Sequence, residues 1–257
     1  MSEAREHERV VVIGAGPAGI SAAVQLKRHG LDPLLLERGR VGGLLNNAWR
    51  VENYPGIPKG ISGREFVNIL QQHLENGNVR LVKEEVLSLG MVNDEFTLRT
   101  ATRSFCADVV VVATGTRARE LSLPIPNEAR ENLHYEVFPL LEEEGKSIVI
   151  IGAGDAAFDY ALNLAEKNRV TILNRSKELK CLPLLFQQAM DHPRISYHTD
   201  YRLKAIRTKL KKDEPPVLVI EAREGKLGHS RELEADHLLC AIGRKPGLEI
   251  LSPFVMD

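Results

Sequence analysis

Short apolar runs alternate with helical patterns along most of the chain. The apolar runs are four to six residues long, which is typical of buried strands. They lie at 9–13, 34–37, 108–113, 147–151, 170–173 and 236–241. Helical patterns follow the first and fourth of these runs, at 17–29 and 156–167. Strands that alternate with helices predict an α/β fold built on parallel sheets.

Other segments carry weaker signals. Ser62-Gly63-Arg64-Glu65 has the pattern of a capping box and predicts a helix that runs to about Asn76. Residues 79–106 alternate apolar and polar positions over short stretches, which predicts a small antiparallel sheet. Residues 195–222 predict short strands and turns.

Two glycine-rich segments follow buried strands and open helices. The first is Val11-Val12-Ile13-Gly14-Ala15-Gly16-Pro17-Ala18-Gly19, and the second is Val149-Ile150-Ile151-Gly152-Ala153-Gly154-Asp155-Ala156-Ala157. The strand that closes each half also repeats, as Ala107–Gly115 and Ala235–Gly243. Matching first and last elements in the same order indicate two similar nucleotide-binding units.

The first segment has the spacing of a dinucleotide-binding fingerprint. Gly14 permits a tight turn, Gly16 lets a pyrophosphate approach the backbone, and Gly19 lets the helix pack closely on the strand. Pro17 stands where a helix start tolerates its missing N–H. Glu37 ends the next strand, where a carboxylate accepts hydrogen bonds from ribose hydroxyls. The alternative is a structural glycine turn beside a surface glutamate.

The second segment is the variant of this fingerprint with Ala157 in the third position. Arg175 stands at the offset that Glu37 has in the first unit, and Lys177 and Lys180 follow it. An arginine can bind a 2′-phosphate that an acid would repel, so this unit is predicted to prefer NADPH over NADH. The alternative is a solvated basic turn.

Composition narrows the function classes. The chain has 257 residues, enough for one large or two modest domains, and its formal net charge of −1 gives no reason to expect nucleic acid or an anionic membrane as a partner. The polar N-terminus is not expected to be a signal peptide, and no apolar run is long enough to cross a bilayer. The three cysteines are far apart, which predicts a reducing cytoplasm and no disulfide framework.

The chain resembles the thioredoxin-reductase-like branch of the FAD-dependent pyridine-nucleotide oxidoreductases. Besides the two fingerprints and Arg175, the matching segments are Gly42-Gly43, Val51-Glu52-Asn53-Tyr54-Pro55-Gly56, Val112-Ala113-Thr114-Gly115 and Ala241-Ile242-Gly243-Arg244-Lys245-Pro246. The resemblance implies that the first unit binds FAD and the second binds NADPH. It also implies that Gly42, Gly43 and Asn53 lie along the flavin, and that Thr114 and Gly115 lie near it at the crossing into the second domain.

The expected architecture is therefore two three-layer Rossmann-like domains, the second inserted into the first. The FAD domain is expected at 1–117 plus 246–257 and the NAD(P)H domain at 118–245. A homodimer is one assembly that the sequence leaves open.

The chain departs from that family in two places. The family's C-x-x-C redox pair falls between the crossing segment and the second fingerprint, where residues 132–140 contain no cysteine. Thioredoxin reductase activity is therefore not expected. The resemblance implies that members without the pair, such as the ferredoxin–NADP reductases of this fold, pass electrons directly from the flavin to a partner. Related proteins also continue with a Gly-Asp segment that holds FAD, whereas this chain stops at Asp257. There are three possible explanations for this early end: the chain is a truncated product, it binds flavin weakly, or another chain supplies the missing segment.

Several smaller candidates have two interpretations each. His134, Tyr135 and Glu136 could form a polar site near the flavin, but a surface loop is preferred. Cys181 follows Lys177 and Lys180, whose charges would lower a thiol pKa, but a reactive role is not preferred because no second cysteine pairs with it. The remaining candidates are Cys106 and Cys240, interpreted as small buried residues, and Trp49 and Tyr54, which either cover the flavin or pack in a core.

The leading hypothesis is an oxidoreductase in which NAD(P)H gives a hydride to FAD and the flavin passes electrons to an unidentified acceptor, a small molecule or a redox protein. No residue is assigned as a catalytic acid or base. A ferredoxin–NADP reductase is one alternative. The other is a non-catalytic nucleotide-binding remnant, or a truncated product.

Overall fold

The computed structural model describes residues 6–209, 216–225 and 228–254. The chain divides into two compact units. The first comprises the residues up to Asn46, Val51–Arg117 and the residues from Pro246 onward, and the second comprises Asn47–Arg50 and Ala118–Lys245. Among the described helices, none is long and apolar enough to cross a membrane.

The first unit is built on a six-stranded sheet. In chain order its strands are β1 (Glu6–Ile13), β2 (Leu34–Leu36), β3 (Arg80–Val82), β4 (Ser88–Val92), β5 (Glu95–Arg99) and β6 (Ser104–Val112). Their spatial order is β3-β2-β1-β6-β5-β4, with β3-β2-β1-β6 parallel and β6-β5-β4 antiparallel. Its helices are α1 (Pro17–Arg28) and α2 (Gly63–Asn76).

Two apolar clusters hold this unit together. Val12, Ile20, Leu35 and Phe66 belong to the cluster that joins the two helices to one face of the sheet. The other face buries Val11, Ile13, Leu34 and Leu36 with Leu89, Leu98 and Phe105. The predicted capping box is confirmed, because Ser62 Oγ accepts the N–H of Glu65 at 3.2 Å and the Glu65 carboxylate accepts the N–H of Ser62 at 3.1 Å.

Two sequence-based expectations in this unit are wrong. Residues 79–106 do not all form an antiparallel sheet, because β3 pairs with β2 in parallel. The run at 108–113 is not fully buried either, since Val109 is 50 % exposed. An unbroken β-branched run reports the preference of each residue for extended backbone, and it does not show that both faces of the strand are covered.

The crossing segments between the units carry β7 (Thr116–Ala118) and β16 (Arg244–Pro246), which pair as a two-stranded sheet. The second unit contains a parallel five-stranded sheet and an antiparallel three-stranded sheet. The strands of the parallel sheet are β8 (Leu133–His134), β9 (Ser147–Ile151), β10 (Arg169–Leu173), β11 (Ile195–His198) and β15 (His237–Cys240). Their spatial order is β11-β10-β9-β15-β8. The antiparallel sheet joins β12 (Tyr201–Lys209), β13 (Val217–Glu224) and β14 (Ser230–Ala235).

Helices and strands cover opposite faces of the parallel sheet. Helices α3 (Asp155–Ala165) and α4 (Pro183–Asp191) share a buried cluster with Ile150 and Ile172. On the other side Leu218 and Ile220 of β13 pack with Val149 and Leu238. Both units thus have the predicted Rossmann-like layers, and the expected fold class is confirmed.

The internal repeat is reproduced in the backbone. Gly14 N–H donates to Leu36 O at 2.8 Å, and Gly152 N–H donates to Leu173 O at 3.0 Å. The strand that closes each half is tied in the same way, with Ala113 N–H donating to Ile13 O and Ala241 N–H donating to Ile151 O, both at 2.8 Å. The two fingerprints therefore lie at equivalent places in equivalent sheets.

Residues 47–50, predicted to lie in the first domain, belong to the second compact unit. The buried Asn47 side chain donates to Glu136 Oε2 at 2.7 Å and accepts the N–H of Phe138 at 3.0 Å. The N–H of Trp49 donates to the carboxylate of Asp159 at 3.0 Å, and the indole packs against the core of that unit. These contacts favour core packing for Trp49, whereas Tyr54 lies 46 % exposed, edge-on to Phe66.

Candidate dinucleotide-binding sites

Two glycines of the first fingerprint are required by close backbone packing. Gly14 has a φ of +104°, and a Cβ there would lie 2.4 Å from Ala113 O. A Cβ on Gly19 would lie 1.8 Å from Gly14 O. Both distances are far below contact, so α1 reaches its position against the sheet only with these two glycines.

Gly16 lies beside open space. It is the N-cap of α1, its φ is −76°, and no side chain caps the helix. A Cβ there would meet nothing within 4 Å. The first turn of α1 begins with Pro17 and Ala18 and contains no acidic residue. Its backbone N–H groups are therefore available to an anion. This arrangement fits a pyrophosphate.

Glu37 is fixed next to the fingerprint by backbone donors. Its carboxylate accepts the N–H of Ala15 at 2.6 Å and the N–H of Gly39 at 2.7 Å, one on each oxygen. A carboxylate oxygen accepts more than one hydrogen bond, so both oxygens keep capacity for ribose hydroxyls. Contact with a ribose stays a prediction.

The other residues expected along FAD are placed differently from one another. Gly42 and Gly43 have φ values of +90° and +52°, Gly42 N–H donates to Ala15 O at 2.7 Å, and a Cβ on Gly43 would lie 3.4 Å from the Cα of Gly16. This glycine pair thus adjoins the fingerprint turn. Asn53, in contrast, is exposed in the loop that follows Val51.

Thr114 and Gly115 lie just beyond the end of β6 and are held by the returning segment of the same unit. The Thr114 hydroxyl donates to Gly247 O at 2.6 Å, and Gly247 N–H donates to Gly115 O at 2.9 Å. Gly115 has a φ of +64° and open space at its Cβ position. The loop at the end of β6 therefore has a fixed shape.

The second fingerprint repeats the first. Gly152 has a φ of +119°, and a Cβ there would lie 2.1 Å from Ala241 O. Gly154 is the N-cap of α3 and also has open space at its Cβ position. Ala157 is fully buried in the close contact of helix and sheet. Asp155, in the first turn, accepts the N–H of Leu182 at 2.8 Å and so ties α3 to the segment before α4.

Arg175 and Lys180 are both exposed, on the loop after β10. The backbone of Lys180 pairs with that of Gly154, so this loop adjoins the second fingerprint. The ammonium group of Lys180 lies 3.7 Å from the Glu178 carboxylate. Within the described ranges, Arg175 has no hydrogen bond or ion pair, and its role as a 2′-phosphate ligand stays a prediction.

Sequence reasoning missed the buried polar residue that organises this loop. Asn174 is 5 % exposed, and its amide group bonds to Ser176, Glu178 and Tyr197. The available signal was an asparagine placed directly after a buried strand, where an amide can close a turn.

His134, Tyr135 and Glu136 are partly buried, so the preferred surface-loop interpretation is wrong. The rings of His134 and His237 meet with Nε2 and Nδ1 3.3 Å apart, and burial lowers the pKa of His134 to about 4. The Tyr135 hydroxyl accepts the N–H of Leu121 at 3.2 Å. Glu136 accepts from Arg244 at 2.8 Å as well as from Asn47. The three side chains serve separate structural contacts.

The cysteines do not form a redox pair. Burial, followed by the charge of Asp155, raises the pKa of Cys181 to about 12, so the expected lowering by lysines is wrong. Cys240 is buried as predicted, and its burial raises its pKa to about 12. Cys106 is only partly buried.

Comparison with known proteins agrees with these features. Residues 8–254 match the family model described as pyridine nucleotide-disulphide oxidoreductase. "Thioredoxin reductase" of Treponema pallidum is 30 % identical over 92 % of this chain and 76 % of its own length, and "Ferredoxin--NADP reductase" of Ignicoccus hospitalis is 33 % identical over 92 % and 77 %. "NADPH-dependent thioredoxin reductase 3" of Arabidopsis thaliana is 30 % identical over 95 % of this chain, which spans only 47 % of that protein.

A solved thioredoxin reductase of Lactococcus lactis superposes with a TM-score of 0.85 at 29 % identity, over 95 % of this chain and 80 % of its own. The family match covers nearly the whole chain, and the structural neighbour shares the fold over 95 % of it. The chain therefore belongs to the pyridine nucleotide-disulphide oxidoreductases, in the thioredoxin-reductase-like branch of these NAD(P)H-dependent flavoprotein oxidoreductases.

Proposed function

We propose that the first unit binds FAD, that the second binds NADPH, and that electrons leave the flavin for an external acceptor without a dithiol in this chain. One observation carries the proposal. Two equivalent turns repeat the same backbone hydrogen bonds and the same open second glycine, but the strand end beside one carries Glu37 and beside the other Arg175. The opposite charges predict two different dinucleotides.

The FAD site would be built from the residues around the first fingerprint. The pyrophosphate would lie beside Gly16, facing the N-terminus of α1, and the adenosine ribose beside Glu37. The flavin-side residues would be Gly42, Gly43, Asn53, Thr114 and Gly115, while Gly14, Pro17, Ala18 and Gly19 would shape the fingerprint turn and helix start beside the pyrophosphate. When bound, FAD supplies a hydride acceptor and a store of electrons for the next step. The residues of the chain bind and orient it.

The NADPH site would use the second fingerprint in the same manner. Gly152 and Ala157 shape the turn, and Gly154 leaves space for the pyrophosphate next to the first turn of α3, where Asp155 is already engaged by Leu182. The guanidinium of Arg175 would bind the 2′-phosphate, with Lys180 adding positive charge. NADPH is therefore proposed as the better donor, with NADH as the weaker one.

The positions of the cysteines limit how electrons can reach the acceptor. The three in the chain are Cys106, Cys181 and Cys240, and none lies between the crossing at Arg117 and the second fingerprint. A disulfide relay in that segment is therefore absent, and direct transfer from the flavin to a partner is favoured. The 33 % identity to a ferredoxin–NADP reductase supports a small redox protein of the ferredoxin class as that partner.

Two matched substitutions test the assignment of the sites. Gly16 and Gly154 have φ values of −76° and −90°, and a side chain at either position enters open space. The fold should therefore tolerate Gly16→Val and Gly154→Val, while each side chain would occupy the place of a pyrophosphate. We expect Gly16→Val to lose FAD but keep NADPH, and Gly154→Val to lose NADPH but keep FAD.

Equilibrium binding of each ligand to each purified variant measures this, with thermal unfolding as the check that both variants are folded. Each variant is the control for the other. Loss of the same ligand in both variants, or of neither, would contradict the two-site proposal. A wild-type chain that takes up no added FAD would instead support the non-catalytic nucleotide-binding alternative.

A further inference from the structure

Asn174 is a buried amide at the end of β10, and all of its side-chain hydrogen-bonding groups are used. Its Nδ2 donates to Glu178 O and to the Tyr197 hydroxyl, both at 2.9 Å. Its Oδ1 accepts from Ser176 N at 3.1 Å and lies 3.4 Å from Ser176 Oγ. A buried asparagine with this many partners fixes the conformation of the backbone that it bonds to.

These bonds close the turn that carries the basic residues. Ser176 N and Glu178 O both follow Arg175 in the chain, so the amide ties the residue before Arg175 to the backbone after it and holds this segment in one shape. The base of the turn is tied to neighbouring backbone as well, because Asn174 N–H donates to His198 O at 2.8 Å and Tyr201 N–H donates to Asn174 O at 2.9 Å. The Asn174 side chain thus supplies two hydrogen bonds within the turn, which add to a backbone hydrogen bond from Asp200 N–H to Ser176 O at 3.3 Å.

The same turn is linked to the second fingerprint in two ways. The backbone of Lys180 pairs with Gly154, the N-cap of α3. The ring of Tyr197 packs with Phe158 of α3 and Phe186 of α4, with centroids 5.5 Å apart in both pairs, so its hydroxyl is held in place by the helix that opens at the fingerprint. Asn174 therefore connects the turn of Arg175 to the pyrophosphate end of the site.

We propose that Asn174 is a positioning residue that sets the preference of the second unit for a nucleotide with a 2′-phosphate. The inference rests on the proposed NADPH site. An exposed arginine on a loop loses conformational freedom when it binds a phosphate, and a turn that is already ordered reduces this loss. Without the amide, the 2′-phosphate contact weakens, while contacts shared by NADP⁺ and NAD⁺ at Gly154 stay.

The test compares Asn174→Leu with a matched control, Asn168→Leu. Asn168 is another buried asparagine of the same unit, 2 % exposed, which donates to Glu143 O at 2.9 Å and Leu164 O at 3.1 Å. Dissociation constants for NADP⁺ and NAD⁺ are measured on the purified chain, with unfolding midpoints alongside. Both variants should lose stability, which separates a general structural effect from an effect on nucleotide choice.

We expect Asn174→Leu to weaken NADP⁺ about tenfold, which corresponds to about 1.4 kcal/mol, and to leave NAD⁺ nearly unchanged. Asn168→Leu should leave the ratio of the NAD⁺ dissociation constant to the NADP⁺ dissociation constant as in wild type, whereas Asn174→Leu should lower this ratio. Tyr197→Phe, which removes one acceptor and keeps the ring, should lower the ratio in the same direction by a smaller factor. It decides the matter if Asn174→Leu fails to fold.

Arg175→Ala distinguishes this inference from the proposed function. If Arg175→Ala lowers the ratio and neither Asn174→Leu nor Tyr197→Phe does, the positioning role of Asn174 is overturned and the NADPH site stands. If the ratio of the two dissociation constants is the same in Arg175→Ala as in wild type, the NADPH assignment and the role of Asn174 are both overturned.

Discussion

Replacing Asp159 with Asn should change how the stability of the protein depends on pH. Asp159 lies on α3 and accepts the N–H of Trp49 at 3.0 Å and that of Arg50. Burial raises its pKa from 3.8 to about 6, although the two backbone donors act in the opposite direction. The folded protein therefore holds a proton on this carboxyl group more tightly than the unfolded chain does.

The sign of the effect follows from proton linkage. Between pH 4 and pH 6 the folded state binds more protons at Asp159 than the unfolded state, so the free energy of unfolding falls as pH rises. The stabilisation is complete below the unfolded pKa and is lost through about pH 6. The total effect is about 3 kcal/mol at 1.36 kcal/mol for each pH unit, of which about 2 kcal/mol falls between pH 4.5 and pH 7.5.

Urea unfolding of wild type and Asp159→Asn across that pH range measures the effect. Asparagine keeps an oxygen that can accept the N–H of Trp49 but does not ionise, so the other titrating groups cancel in the difference between the two proteins. The unfolding free energy of the variant minus that of wild type should rise with pH by about 2 kcal/mol.

Asp191→Asn is the control for loss of any carboxylate from this unit, since Asp191 is exposed at the end of α4. If the difference between Asp159→Asn and wild type is the same at every pH, then Asp159 is hydrated in the folded protein. The anchoring of residues 47–50 on a buried carboxylate would then be refuted.

Two further predictions concern the redox function. Arg175→Ala should weaken NADPH binding much more than NADH binding, by about 10- to 150-fold, because it removes a charge-assisted hydrogen bond worth about 1.5–3 kcal/mol. Arg175→Glu should go further and favour NADH. If flavin reduction rates show an unchanged preference between the two nucleotides, Arg175 is a surface residue. The FAD-loaded chain should not reduce thioredoxin with NADPH; turnover that survives replacement of Cys106, Cys181 and Cys240 would show that a protein dithiol is not required.

The parts of the fold that sequence predicted well are those where backbone geometry leaves little choice. Gly14 and Gly152 must be glycines because each has a positive φ and lies against the carbonyl that follows the closing strand. Because only glycine meets such a requirement, the residue type itself reveals it. The repeat of strand, turn and helix was therefore predictable, and with it the fold class and the family.

The parts that sequence could not predict depend on contacts between distant residues. Asn47 and Trp49 lie in a stretch that is contiguous with the first unit, but their partners Glu136 and Asp159 are 89 and 110 residues away. The pKa of Cys181 was expected to fall because lysines are close in sequence, whereas burial and Asp155 determine it in the fold. Charges that are near in sequence can be far in space, and burial is set by packing.

Anaerobic titration of the FAD-loaded chain with NADPH tests the central claim most directly. The account predicts that FAD added to the purified chain gives two visible flavin bands, that NADPH bleaches them in the absence of oxygen at lower concentrations than NADH, and that an added electron acceptor restores them. A chain that demonstrably binds both FAD and NADPH but shows no change in the flavin bands would contradict it.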